Sequence, residues 1–108
     1  MAQKQMNMQK MMAEARKMQE EVARAQDEIA LLEAEGSAGG GVVKAVASGD
    51  GRVRKVSIDP DVVDPDDVEM LEDLVTSAVN DAISNVGELA NMRMQTATGG
   101  FDLGFPGM

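Results

Sequence analysis

Residues 3–32 contain neither glycine nor proline, and their apolar positions recur at alternating steps of three and four. The stretch is rich in Met, Ala, Glu, Gln and Lys, side chains that lose little rotamer freedom in a helix. Met8, Met11, Ala15, Met18, Val22, Ala25, Ile29 and Leu32 fall on the a and d positions of more than three heptads. A helix from Gln3 to Leu32 is expected, with a seam of about 37 Å at 1.5 Å of rise per residue. So narrow a stripe needs a partner helix, either a second helix of the chain, a second copy, or both. These eight residues are the candidate dimer and core contacts.

Beyond the helix the chain is punctuated into short pieces. Gly36-Ser37-Ala38-Gly39-Gly40-Gly41 breaks the helix and reads as a flexible link. Two β-prone runs come next, Val42–Ser48 and Arg52–Ile58, around Gly49-Asp50-Gly51, which suits a tight hairpin with a two-residue loop. In that register Lys44 and Lys55 share one face, while Val43, Ala45, Val56 and Ile58 share the other and are expected to pack on helices. Asp59-Pro60 ends the second run. Asp64-Pro65-Asp66-Asp67 has the form of a helix start, with Asp64 as N-cap, Pro65 at the first helical position and acids in the first turn. Val68, Leu71, Val75, Ala78, Ala82, Ile83, Val86 and Leu89 give this helix an apolar face. Residues 95–108 read as a disordered tail, leaving residues 1–94 as a single α+β domain.

At 108 residues with two aromatic side chains, Phe101 and Phe105, one copy has little with which to build a core. Self-association is expected to complete it. The chain has no cysteine and no histidine, which removes disulfides, the usual nitrogen and sulfur metal ligands, and the commonest proton-transfer group near neutral pH. No segment approaches the roughly 20 apolar residues of a membrane span, and the first residues lack the apolar run of a signal peptide. A cytoplasmic protein without membrane contact is expected.

Several motifs fail on inspection. The glycine run lacks the Lys and Ser or Thr of a phosphate loop, because Val42 and Val43 follow Gly41. In the acidic run from Asp59, the positions where a calcium loop needs Gly and Glu hold Asp64 and Met70. The heptad spacing of the methionines is accounted for by helix packing. No histidine activates a serine, and no tuned acid–base pair is visible. The chain is read as not an enzyme, with no cofactor, metal or small-molecule substrate.

Charge is unevenly distributed. The formal net charge is −9. Residues 1–26 nevertheless carry five basic and three acidic groups, and residues 42–58 carry four basic groups against Asp50. Eight acids and no base then fall within residues 59–73. On the first helix Lys10, Glu14, Lys17, Glu21, Arg24 and Glu28 alternate in sign at steps of three or four, a spacing that favours neutralising ion pairs along the helix. Lys44, Arg52, Arg54 and Lys55 form the least neutralised cluster, suited either to protecting an edge strand or to contacting phosphates. Since no aromatic residue is interleaved with them, any nucleic-acid contact should go to duplex phosphates and shape.

The order and spacing of four pieces resemble the YbaB/EbfC family of nucleoid-associated proteins. They are MQKMMAEARKMQEEVARAQDEIALLEAEG, the glycine-rich link with VVKAV, the strand RKVSIDPDVV, and the helix MLEDLVTSAVNDA. The resemblance implies a long N-terminal helix, a three-stranded antiparallel sheet with an additional strand around residues 33–40, and a C-terminal helix, in α-β-β-β-α order. It also implies a tweezer-like homodimer that binds double-stranded DNA in the nucleoid, with a role in nucleoid organisation or gene regulation. Lys4, Lys10, Arg16, Lys17, Arg24, Lys44, Arg52, Arg54 and Lys55 are the candidate DNA contacts, mainly to phosphates. The alternative is a protein-interaction or scaffold module to which DNA binding is incidental.

Overall fold

The computed structural model describes residues 2–99, with side chains from Asn7 onward. Helix α1 spans Ala2–Leu31, and strands β1 (Glu33–Ala38), β2 (Val43–Ser48) and β3 (Val53–Ile58) follow it. A 3-10 turn at Pro60–Val62 and helix α2 (Val68–Ala97) complete the chain. The strands form one antiparallel sheet in the order β1-β2-β3. This is the α-β-β-β-α architecture of an α+β fold.

The supposed glycine-rich link is partly a strand. Ala34, Gly36 and Ala38 pair with Ala47, Ala45 and Val43, and this inner row packs under α2. Gly36 allows the approach: a Cβ there would lie 2.1 Å from the Ala82 nitrogen and 2.5 Å from the Ala78 carbonyl oxygen. The turn is confined to Gly39-Gly40-Gly41-Val42, and its three glycines all have positive φ, the region glycine enters without penalty. Helix α2 also seals the outer edge of β1. The Asn85 Nδ2 donates to the Glu35 carbonyl at 2.9 Å, and the Ser37 N–H donates to Asp81 Oδ2 at 3.0 Å. An edge whose peptide groups are occupied in this way is closed to further strands.

Three other expectations need correction. Four residues, not two, connect β2 to β3, and the register shifts between Val46 and Ala47. Beyond the shift Val46 pairs with Lys55 and Lys44 with Ser57, so Lys44 and Lys55 do share the outer face and Val43, Ala45, Val56 and Ile58 the inner one. Second, α2 begins three residues later than Pro65 implied. Asp67 is the N-cap, its carboxylate accepting from the Met70 N–H at 3.2 Å, while Asp64 instead accepts from the Asp66 N–H in a preceding turn. Third, Gln95–Ala97 form the end of α2 rather than the start of a tail. Gly100–Met108 lie outside the described residues.

The core is made of small side chains: Val43, Ala45, Ala47, Ala78, Ala82 and Val86. The largest fully buried side chains are Val43 and Ser48. The inner row of β3 was expected to pack on helices, yet Val56 and Ile58 are each 39% exposed. Helix α2 lies across β1 and β2 and barely reaches β3. On α2 itself Val68, Ile83 and Leu89 are exposed. Ile83 stands one residue, or about 100° of helix, away from Ala82, whose line faces the sheet.

Candidate nucleic-acid interface

Helix α1 is held at one end only. The Leu32 carbonyl oxygen accepts from the Gly49 N–H at 2.9 Å, and a Cβ at Gly49 would lie 1.8 Å from the Ile29 oxygen. The β2–β3 turn is thus pressed against the end of α1. Farther out, Arg93 Nε donates to Glu28 Oε2 at 2.6 Å, tying α1 to α2. That bond holds the Glu28 carboxyl below the ordinary carboxylate range. Gly36 lies under Ala82 and Glu28 beside Arg93, so the two helices run antiparallel. Helix α2 therefore ends about level with Ala25, which is fully buried. The rest of α1, some 20 residues, extends beyond it for about 30 Å.

The heptad seam is divided by this geometry. Ala25 is buried, Val22, Ile29 and Leu32 are partly covered, and Leu32 packs against the core. Met8, Met11, Ala15 and Met18 are exposed, Met8 and Met11 by 64% and 67%. Among the described residues nothing packs on that outer half.

The basic candidates fall into three groups. Lys10, Arg16, Lys17 and Arg24 are exposed along the arm. Lys4 lies in the first turns of α1, outside the residues whose side chains are described. Among the described residues no ion pair forms along α1, contrary to the alternating-charge expectation, and Glu28 turns to Arg93 instead. Lys44 and Lys55 project from the outer face of the sheet. Arg52 and Arg54 sit at the hairpin, where Asp50 takes up the charge of Arg54 and lies only at the edge of ion-pair reach from the exposed Arg52. Asp50 lies 2.8 Å from Arg54 Nη2 and 3.9 Å from Arg52 Nε. The Ser48 hydroxyl donates to the Asp50 carboxylate and accepts from Arg54 Nε at 2.9 Å. The serine bond, followed by the two guanidinium groups, holds the Asp50 carboxyl below its usual range. Of the cluster that looked freest in sequence, Arg54 is neutralised, while Lys44 and Lys55 form no ion pair among the described residues.

Apart from Glu14, Glu20 and Glu21 on α1 itself, the acidic block is far from the arm. Asp64, Asp66, Asp67 and Glu69 surround the start of α2, about 40 Å along that helix from the level of Arg24. At physiological ionic strength charges are screened over about 8 Å. The acidic block thus contributes little to the potential around Lys10, Arg16, Lys17 and Arg24, whatever the sign of the net charge.

A long helix standing off a three-stranded sheet with a second helix behind it matches the family expectation, and comparison with known proteins decides the matter. The model of the YbaB/EbfC DNA-binding family matches residues 3–101. The chain belongs to the YbaB/EbfC family. It is 50% identical to a nucleoid-associated protein of Nocardia farcinica over 95% of this chain and 94% of that protein. A nucleoid-associated protein of Geobacillus kaustophilus is 52% identical, covering 94% and 93% respectively. One from Ruminiclostridium cellulolyticum is 47% identical, covering 94% and 88%. Two features of this YbaB/EbfC chain escape sequence reasoning: the closing of the β1 edge by Asp81 and Asn85, and the uncovered inner face of β3. Both depend on where α2 crosses the sheet, which hydrophobic spacing does not encode.

Proposed function

We propose that this protein binds double-stranded DNA as a homodimer, through phosphate contacts from the α1 arm, and acts in the bacterial nucleoid. The observation that carries the reading is the separation of charge: four exposed cations along an arm that stands clear of the acidic end. Lysine and arginine side chains spaced along one helix neutralise phosphates and release counterions without reading sequence. Lys44, Lys55 and Arg52 add a second patch at the base of the arm. Arg54, occupied by Asp50 and Ser48, acts as a structural residue. Two copies join through the open side of β3, where Val53, Val56 and Ile58 leave an apolar row beside an unpaired strand edge. A core with no large buried side chain gains most from covering that row.

Sedimentation and duplex binding test the two halves of the proposal. The protein should sediment with the mass of two chains of 11.4 kDa, and Val56→Asp with Ile58→Asp should shift it toward one. Two duplexes of unrelated sequence should bind within a few-fold of each other. A stable single subunit at micromolar concentration contradicts the dimer. Failure to bind either duplex contradicts the DNA reading.

A further inference from the structure

Helix packing does not account for three of the methionines on the arm. Met8 and Met11 lie on the seam yet stand uncovered, and Met12 is one residue off the seam and 60% exposed. They occupy positions i, i+3 and i+4 of one helix, where side chains are neighbours with Cβ atoms about 5–6 Å apart. Side chains in a helix lean toward its N-terminus, so Met11 and Met12 both reach back over the turn that Met8 occupies. Methionine is unbranched and flexible. Sulfur atoms from these three positions can therefore meet at one point above the helix surface.

We propose that Met8, Met11 and Met12 form a binding site for a soft monovalent cation of the copper(I) type. Thioether sulfur is a soft ligand, suited to copper(I) and poorly suited to hard ions. Zinc takes thiolate, imidazole or carboxylate, and the triad has none of these. Glu14, at i+3 from Met11, is the nearest acid in sequence, and one carboxylate falls far short of the oxygens that calcium requires. Lys10, between Met8 and Met11 in the chain, disfavours a divalent charge more than a monovalent one. The chain has no cysteine or histidine to compete for the ion. Met92 provides an internal contrast. It is as exposed as the triad, at 63%, but Glu88, Leu89, Gln95 and Thr96 occupy the positions three and four residues away, so it offers a lone sulfur. The inference does not rest on DNA binding.

The test uses silver(I), which shares the charge and softness of copper(I) without its ready oxidation. Silver nitrate is added in chloride-free buffer to the full-length protein, labelled with carbon-13 at the methionine methyls. The signals of Met8, Met11 and Met12 should shift together and saturate at about one silver ion per chain, with Met92 unmoved. Met8→Leu/Met11→Leu/Met12→Leu keeps apolar volume and helix propensity and removes the sulfur. It should weaken silver binding in calorimetry by roughly tenfold or more, because the thioethers supply the affinity for a soft ion, while circular dichroism stays unchanged. Equal affinity in the leucine variant would overturn the site. So would Met92 moving in step with the triad, which would reduce the effect to exposure, or zinc nitrate producing the same shifts. Saturation at one ion for two chains would place the ion between copies and overturn the single-helix site.

Discussion

The two halves of α1 carry the same heptad spacing and meet opposite fates. Between Ala25 and Leu32 the seam is covered, with Ala25 wholly buried and Glu28 beside it fixed by Arg93. Between Met8 and Met18 it stands in solvent. Spacing makes a helix amphipathic; the length and direction of the partner decide which part of the stripe is covered. Here α2 spends its first half over the sheet and has only its last turns left for α1. The inner half of the helix is consequently packed within the chain, and the outer half is left uncovered.

Substitutions should separate the halves clearly. The largest effect is expected at the base. Gly36→Ala places a methyl group within the backbone of α2, and forcing the two apart should cost about 3 kcal/mol, within the upper range for overpacking. Chemical denaturation would show a lower midpoint. An unchanged midpoint would mean that α2 does not press on β1 as described.

A smaller effect is expected at the hairpin. Asp50 has a lowered pKa in the folded protein, so its stabilising contribution is full at neutral pH. That contribution is lost as the pH falls through the depressed value, below the ordinary carboxylate range. Asp50→Asn should lower Tm at pH 7 by less than Gly36→Ala does. The gap between wild type and Asp50→Asn should narrow as the solution is acidified. A constant gap across that range would show that Asp50 does not stabilise the hairpin through its charge.

The smallest stability effect belongs to the arm. Met8→Ala with Met12→Ala should change unfolding free energy by no more than about 0.5 kcal/mol each, as for other exposed positions. A large loss would show that the arm is buried in the native assembly, and would blur the contrast between the halves.

Much of this was legible in the sequence, for physical reasons that differ by region. The absence of glycine and proline over residues 3–32 was enough for α1, and the Asp-Pro and Gly-Asp-Gly punctuation delimited β3 and its turn. Strand β1 was not legible from its residues, since Gly36 and Ser37 favour loops; only the resemblance supplied it. What makes Gly36 a strand residue is the α2 backbone over it, a contact spanning more than 40 positions in sequence. The charges were misjudged for a similar reason. Local spacing offered Arg24 and Lys17 partners that they do not take, and hid how fully Asp50 and Ser48 occupy Arg54. The N-cap moved from Asp64 to Asp67 because three aspartates within four positions all suit the role, and the chain path from β3 selects among them.

The central claim, that an arm set apart from the acidic end holds duplex phosphates, is tested most directly by the salt dependence of affinity. If about six phosphates are neutralised, log affinity should fall against log salt with a slope of about −5. Replacing Lys10, Lys17 and Arg24 by Glu should reduce that slope to about −2 or −3 with Tm unchanged, since each lost phosphate contact removes about 0.9 from it. A flat salt response in the wild type, or the same slope in the variant, would contradict the claim.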